Sequence, residues 1–148
     1  MTEKLTNKEL LEELSKRGYF ASKVPPQVSG TTFEPDITKL TGNKYRFAVI
    51  SCTHIGSAYQ QLTHLYTFYS VCKKRGVEVV MHCGDLAEGS GLYRGQEYEV
   101  FAHGADAQRD YIIENYPKIK GISTKVILGN HDESFYKTTG YNIVKEVC

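Results

Sequence analysis

From Tyr45 onward the chain alternates short apolar runs with longer stretches of helical period. Phe47-Ala48-Val49-Ile50 is a continuous apolar run, as expected of a strand buried on both faces. Between about Tyr59 and Arg75, the residues Leu62, Leu65, Tyr66, Tyr69 and Cys72 share one helical face, and Gly76 ends the pattern. Val77 to Met81 is expected to form a second buried strand. Glu97 to Tyr116 carries a second helical pattern stopped by Pro117. Lys125-Val126-Ile127-Leu128 is a third apolar run, and Gly140 to Val147 has the look of a helix beginning.

Strands and helices in alternation, with crossovers this long, place the chain in the α/β class with a mainly parallel sheet covered by helices. Ligands of such sheets bind beyond the carboxyl ends of the strands. Each apolar run leads directly into polar chemistry there: Ser51-Cys52-Thr53-His54, His82-Cys83-Gly84-Asp85 and Gly129-Asn130-His131-Asp132.

The N-terminal region has a different texture. Residues 6 to 17 read as a short helix, with Thr6 and Glu9 at capping-box spacing, Leu10, Leu11 and Leu14 as its stripe, and Gly18 as its stop. Ala21 to Asn43, with Pro25, Pro26, Pro35, Gly30 and Gly42, reads as a loop-rich arm. The expected division is therefore an arm at 1–44 and a domain at 45–148.

The three polar segments resemble the first three motifs of the calcineurin-like metallophosphoesterase superfamily: D-x-H, G-D and G-N-H-[DE]. They stand here as Cys52-Thr53-His54, Gly84-Asp85 and Gly129-Asn130-His131-Asp132, in order and each after an apolar run. The resemblance implies a metallophosphoesterase-type α/β sandwich, of which residues 45–148 would be the first half, with two divalent metal ions at the sheet ends. It implies His54 as a metal ligand, Asp85 as the bridge between metals and Asn130 as a ligand to the second. His131 would be the catalytic acid or phosphate contact, and Asp132 could orient it by accepting a hydrogen bond. The chemistry is coherent, since paired metals hold an oxygen nucleophile and neutralise charge in phosphoryl transfer. Imidazole mixed with oxygen ligands suits manganese, iron, zinc or nickel better than calcium. The glycines before Asp85 and Asn130 permit sharp turns and close backbone approach to a phosphate.

Two departures qualify the match. Cys52 stands where the superfamily has aspartate. It is either a thiolate ligand favouring a softer metal such as zinc, or a small buried residue in a lost half-site. The superfamily also completes its centre with three further histidines, and no histidine follows His131. The chain by itself is thus expected to show weak or no activity. The function implied is a metal-dependent phosphoesterase, phosphodiesterase or nuclease-like, acting on a phosphate ester that could be a nucleotide or nucleic acid. The alternatives are an inactive domain that binds metal or a partner, and one part of a split enzyme completed by a downstream polypeptide. A homo-oligomer through an exposed sheet edge is a further expectation.

Composition narrows this only slightly. At 148 residues and a formal charge of +1, the chain has a length suited to one domain and no basic footprint for nucleic acid. No apolar run could span a bilayer, and the polar Met1 to Glu9 is unlike a signal peptide, so a cytoplasmic location and reduced thiols at Cys52, Cys72, Cys83 and Cys148 are expected. His64, His82 and His103 read as packing or surface residues. Gly89 to Gly95 has the wrong glycine spacing for a dinucleotide loop, and Arg94 is either a phosphate clamp or an ordinary surface residue.

Overall fold

β1 (Phe47–Ile50), β2 (Val79–His82) and β3 (Ser123–Val126) form a parallel sheet in the order β1-β2-β3. These elements come from a computed structural model that describes residues 44–148 together with Glu12, Glu13 and Lys16, which are helical. The remainder of the expected helix at 6–17, and the arm from Ala21 to Asn43, lie outside the described residues. The chain divides into two units, Met1–Lys39 and Leu40–Cys148.

Strand register brings the three polar segments together. Phe47 lies opposite Val79 and Val79 opposite Ser123, while Ile50, His82 and Val126 are neighbours at the other end. All three strands therefore stop level, and the segments that leave them start side by side. β3 ends earlier than its apolar run, so Ile127 is 63% exposed beyond the strand.

α1 (Leu62–Lys74) buries Leu65, Tyr69 and Cys72 at helical spacing, with Lys73 and Lys74 in the last turn where cations favour the helix dipole. The pattern from Glu97 to Tyr116 resolves into a single 3-10 turn at Gln96–Tyr98 and α2 (Ala105–Asn115). Tyr116 is already extended (ψ 136°), as expected of a residue preceding proline. α3 (Glu133–Thr139) was not evident from periodicity; left-handed Gly140 closes it. α4 (Ile143–Val147) starts at Asn142, whose side chain accepts from the Lys145 N–H at 3.0 Å.

Leu65, Tyr69, Val80, Ile112, Phe135 and Ile143 meet in one core, with Ala48, Ile50 and Val126 packed against it. The alternate residues of β1 point the other way, and Phe47 and Val49 are 52% and 53% exposed. The expectation that this strand is buried on both faces is thus corrected: alternate strand residues meet the core and the others do not. No helix among the described residues is long and apolar enough to cross a membrane.

Buried hydroxyls join the elements at the core's edge. The Tyr69 hydroxyl lies 2.6 Å from the Thr124 hydroxyl and 2.9 Å from that of Tyr116. Burial pushes both phenols above their ordinary pKa and keeps them neutral.

His82, at the end of β2, is almost fully buried. The Thr53 hydroxyl donates to the Leu86 carbonyl at 3.1 Å, which leaves it to accept from His82 Nε2 at 3.0 Å. That assigns the proton to Nε2 and leaves Nδ1 buried without a partner. Burial holds the imidazole below its ordinary pKa, against the opposing pull of Asp132 and Asp85. Because the folded state resists the proton, this contribution to stability is complete above the unfolded pKa of about 6.5 and is lost as pH falls below it. Urea midpoints measured between pH 8 and pH 5 should fall toward acid, and His82→Gln should flatten that dependence. An unchanged slope in the variant would remove His82 as its source.

Candidate metal centre

The polar segments after β1 and β2 continue to pair after the sheet ends. The N–H groups of Cys52, Thr53, His54 and Ile55 donate to the carbonyls of Gly84, Asp85, Asp85 and Leu86, and Glu88 N–H returns to the Ile55 carbonyl. This pairing requires unusual backbone. Cys52, His54 and Asp85 have φ of 55°, 43° and 54°, and they are the described non-glycine residues in the left-handed region. Each such conformation costs about 1–2 kcal/mol and persists only where surrounding contacts enforce it.

The third segment presses onto the second through glycines. A Cβ on Gly84 would stand 2.7 Å from Gly129 Cα, and one on Gly129 would collide with the backbone N and carboxylate of Asp85. The close approach expected toward a phosphate is here an approach of two backbones to each other. It delivers Asp85 to the following turn, where Oδ1 accepts from His131 N–H at 2.9 Å.

Two groups of ligand-type side chains result. Cys52, His54 and Asp85 offer atoms within 4.8 Å of one another, as do His54, Glu88 and His131. The Cys52 thiol is exposed and 3.9 Å from Asp85 Oδ2, so the alternative of a small buried residue does not describe it. Asn130 is exposed within the same turn as His131. His54 belongs to both groups, and its ring meets that of His131 edge-on with centroids 4.3 Å apart.

Glu88 is the residue that the motifs did not indicate. Its side chain is only 5% exposed, with Oε2 3.1 Å from His54 Nδ1 and Oε1 2.9 Å from the Gln96 amide that donates to it. Its signal in the sequence is a charged residue inside Leu86-Ala87-Glu88-Gly89, a stretch otherwise apolar or small. The Glu88 carbonyl also takes a hydrogen bond from His131 Nδ1 at 2.6 Å. A carbonyl can only accept, so Nδ1 carries the proton and Nε2 is the ring atom left to exchange one.

Asp132 acts differently from the orienting role expected of it. It is fully buried, with Oδ1 accepting from Ala87 N–H at 2.8 Å and Oδ2 from Gly129 and Leu86 N–H at 2.9 and 3.2 Å. The Glu88 carbonyl orients His131 instead, and Asp132 ties the second polar segment to the third. The Gly89 to Gly95 loop is likewise closed by side chains. Gly89 exchanges both of its backbone bonds with the buried Gln108 amide, at 2.9 and 3.0 Å. His64 is exposed and bonded to Gln61 at 3.0 Å, and His103 and Arg94 are exposed. The four cysteines are free thiols.

Whether these residues suit a divalent cation can be judged from His54. Its Nδ1 is buried and, although 3.1 Å from the Glu88 carboxylate, is not aligned for a hydrogen bond with it or with any other group. A buried imidazole nitrogen left unpaired beside a carboxylate is costly, and a cation within the group would satisfy both. Thiol, imidazole and carboxylate together are a donor set for a borderline transition metal. The residues fit.

Comparison with known sequences agrees with this geometry. No curated protein matches the chain. The family model for calcineurin-like phosphoesterases matches residues 45–147, from just before β1 through α4. The segment so matched contains the sheet and every residue of both ligand groups, and the chain belongs to the calcineurin-like phosphoesterase family.

Proposed function

We propose that this site is a metal-dependent phosphoesterase centre, in which Cys52, His54 and Asp85, joined by Asn130 from the turn before His131, hold a divalent cation and His131 serves the phosphate ester. The single observation that carries the proposal is the convergence of Cys52, His54 and Asp85 within 4.8 Å on level strand ends. When bound, such a cation supplies Lewis-acid polarisation and neutralises charge on the phosphoryl group. The protein's own contribution is positional. The left-handed turns at Cys52, His54 and Asp85 hold the ligand side chains on loops that Asp132 and the paired glycines keep together.

His131 is set up for proton transfer. With Nδ1–H committed to the Glu88 carbonyl, Nε2 can receive a proton and pass it to a departing alkoxide or phenoxide oxygen. Glu88 lies beside both histidines, with a carboxylate oxygen 3.1 Å from His54 Nδ1 and another 3.9 Å from His131 Nδ1.

The test is cation binding. Calorimetric titration with Mn2+ should show saturable binding, and saturating Mn2+ should raise the thermal midpoint, because a ligand at 100 times its Kd adds about 2.7 kcal/mol. Asp85→Ala, which removes the carboxylate from the first group, should weaken binding at least about tenfold. Cleavage of a chromogenic phosphodiester with Mn2+ then reports on chemistry. Equal cation affinity in the wild type and Asp85→Ala would overturn the assignment of this centre.

A further inference from the structure

A cavity of about 470 Å3 adjoins the candidate centre, with Cys52, His54, Glu88 and His131 among its lining residues. That volume falls within the range of about 300–1,000 Å3 typical of small-molecule sites. The rest of its wall mixes polar residues, Ser57, Gln61 and His64 among them, with apolar ones. Ile50 from β1 and Leu62, Leu65 and Phe68 from α1 supply an apolar surface, with Tyr59 and Tyr93 alongside. Leu65 belongs to the core, but Leu62 and Phe68, on the same side of α1 three residues away in each direction, are only partly buried. One stretch of the apolar face of α1 thus packs against the core and lines the cavity as well.

Charge is distributed just as unevenly. None of the described lining residues is Lys or Arg, and Glu88 and Glu99 are both among them. Glu99 accepts from the Tyr93 hydroxyl at 2.6 Å, which fixes that ring in place, and the neighbouring carboxylates push the phenol above its ordinary pKa so that it stays neutral. A second phosphate here would meet two acidic residues and no Lys or Arg side chain. A nucleic-acid strand binds chiefly through Lys and Arg contacts to successive phosphates, and the wall offers none. An uncharged ring or hydrocarbon would instead remove Leu62, Phe68 and the tyrosine faces from water, with aromatic stacking open to it.

We infer that this cavity is the subsite for the organic part of the ester, and that it selects a single phosphate group carrying an uncharged aromatic or apolar substituent over polyphosphates and nucleic-acid strands. The inference rests on the phosphoesterase reading of the adjoining centre. It narrows that reading from phosphate esters in general to one class.

The experiment is a calorimetric comparison of inorganic phosphate, methyl phosphate, phenyl phosphate and a thymidine oligonucleotide, each titrated into the full chain supplied with Mn2+. Phenyl phosphate is expected to bind at least about tenfold tighter than methyl phosphate and tighter than the oligonucleotide. Phe68→Ser should reduce the phenyl-to-methyl ratio severalfold. Tyr59→Ala, at a position 70% exposed and so harmless to folding, should reduce it in the same direction. Equal affinities for phenyl and methyl phosphate, preference for the oligonucleotide, or a ratio unmoved in both variants would overturn the inference alone. Failure of inorganic phosphate and all three esters to bind the Mn2+-supplied chain would overturn it together with the phosphoesterase reading.

Discussion

Asp132→Ala is expected to destabilise the domain by about 3–6 kcal/mol, a large part of the roughly 5–15 kcal/mol that holds a typical domain folded. The figure reflects its partners. One buried carboxylate satisfies the N–H groups of Leu86, Ala87 and Gly129, and truncation leaves all three without an acceptor. Each buried unsatisfied donor costs about 1–3 kcal/mol. Asp132→Asn should fall between wild type and alanine, because its one remaining oxygen is joined by an amide that faces donors with a donor. Urea denaturation followed by circular dichroism measures the difference directly. A loss below about 1 kcal/mol for the alanine variant would show that these bonds are replaced by water. Cation binding should decline with stability in both variants, since the carboxylate joins the segment bearing Asp85 to the one bearing His131.

Gly129→Ala is expected to be nearly as severe, for a steric reason. Its added methyl would overlap the backbone N of Asp85 and its carboxylate, which the His131 N–H holds in place. The two segments must separate, at a cost of about 3 kcal/mol, and Asp85 moves with them. The variant should therefore lose Mn2+ affinity as well as thermal stability. Gly104→Ala is the matched comparison. Its Cβ meets nothing within 4 Å, so only its glycine-type backbone (φ 90°, ψ 161°) opposes the change, at about 1–3 kcal/mol. Comparable losses at both positions, with Mn2+ affinity retained in Gly129→Ala, would remove the steric account.

The sheet was legible because its signals are local. Phe47–Ile50 is strand where the apolar run placed it. β2 starts two residues and ends one residue later than its apolar run, and β3 lies two residues earlier, because register with neighbouring strands, rather than hydropathy, decides where pairing stops. That is why Lys125-Val126-Ile127-Leu128 misleads: its second half has already left the sheet for the loop that reaches Gly129. α3 was missed because seven residues are too few to display a period, and Thr138 and Thr139 favour strand. At the site, the short motifs identified residues by type and order, but their partners depend on the third dimension. The carboxylate and carbonyl of Glu88 meet His131 only when the segment after β2 folds over the turn after β3. Asp132 showed how a motif can mark a residue correctly for attention while concealing what it touches.

The left-handed turns at Cys52, His54 and Asp85 carry a consequence for any effort to make this protein more robust. Glycine adopts φ near 50° without the steric penalty that a Cβ brings, so at each of these positions it is the residue that relieves backbone strain. A library selected for thermal tolerance alone would be drawn toward glycine there, and every such gain would delete a candidate ligand. Selection for heat resistance and retention of the cation are therefore opposed at these same positions. Directed evolution of this domain has to screen for both together, or it will enrich well-folded proteins with nothing left to coordinate.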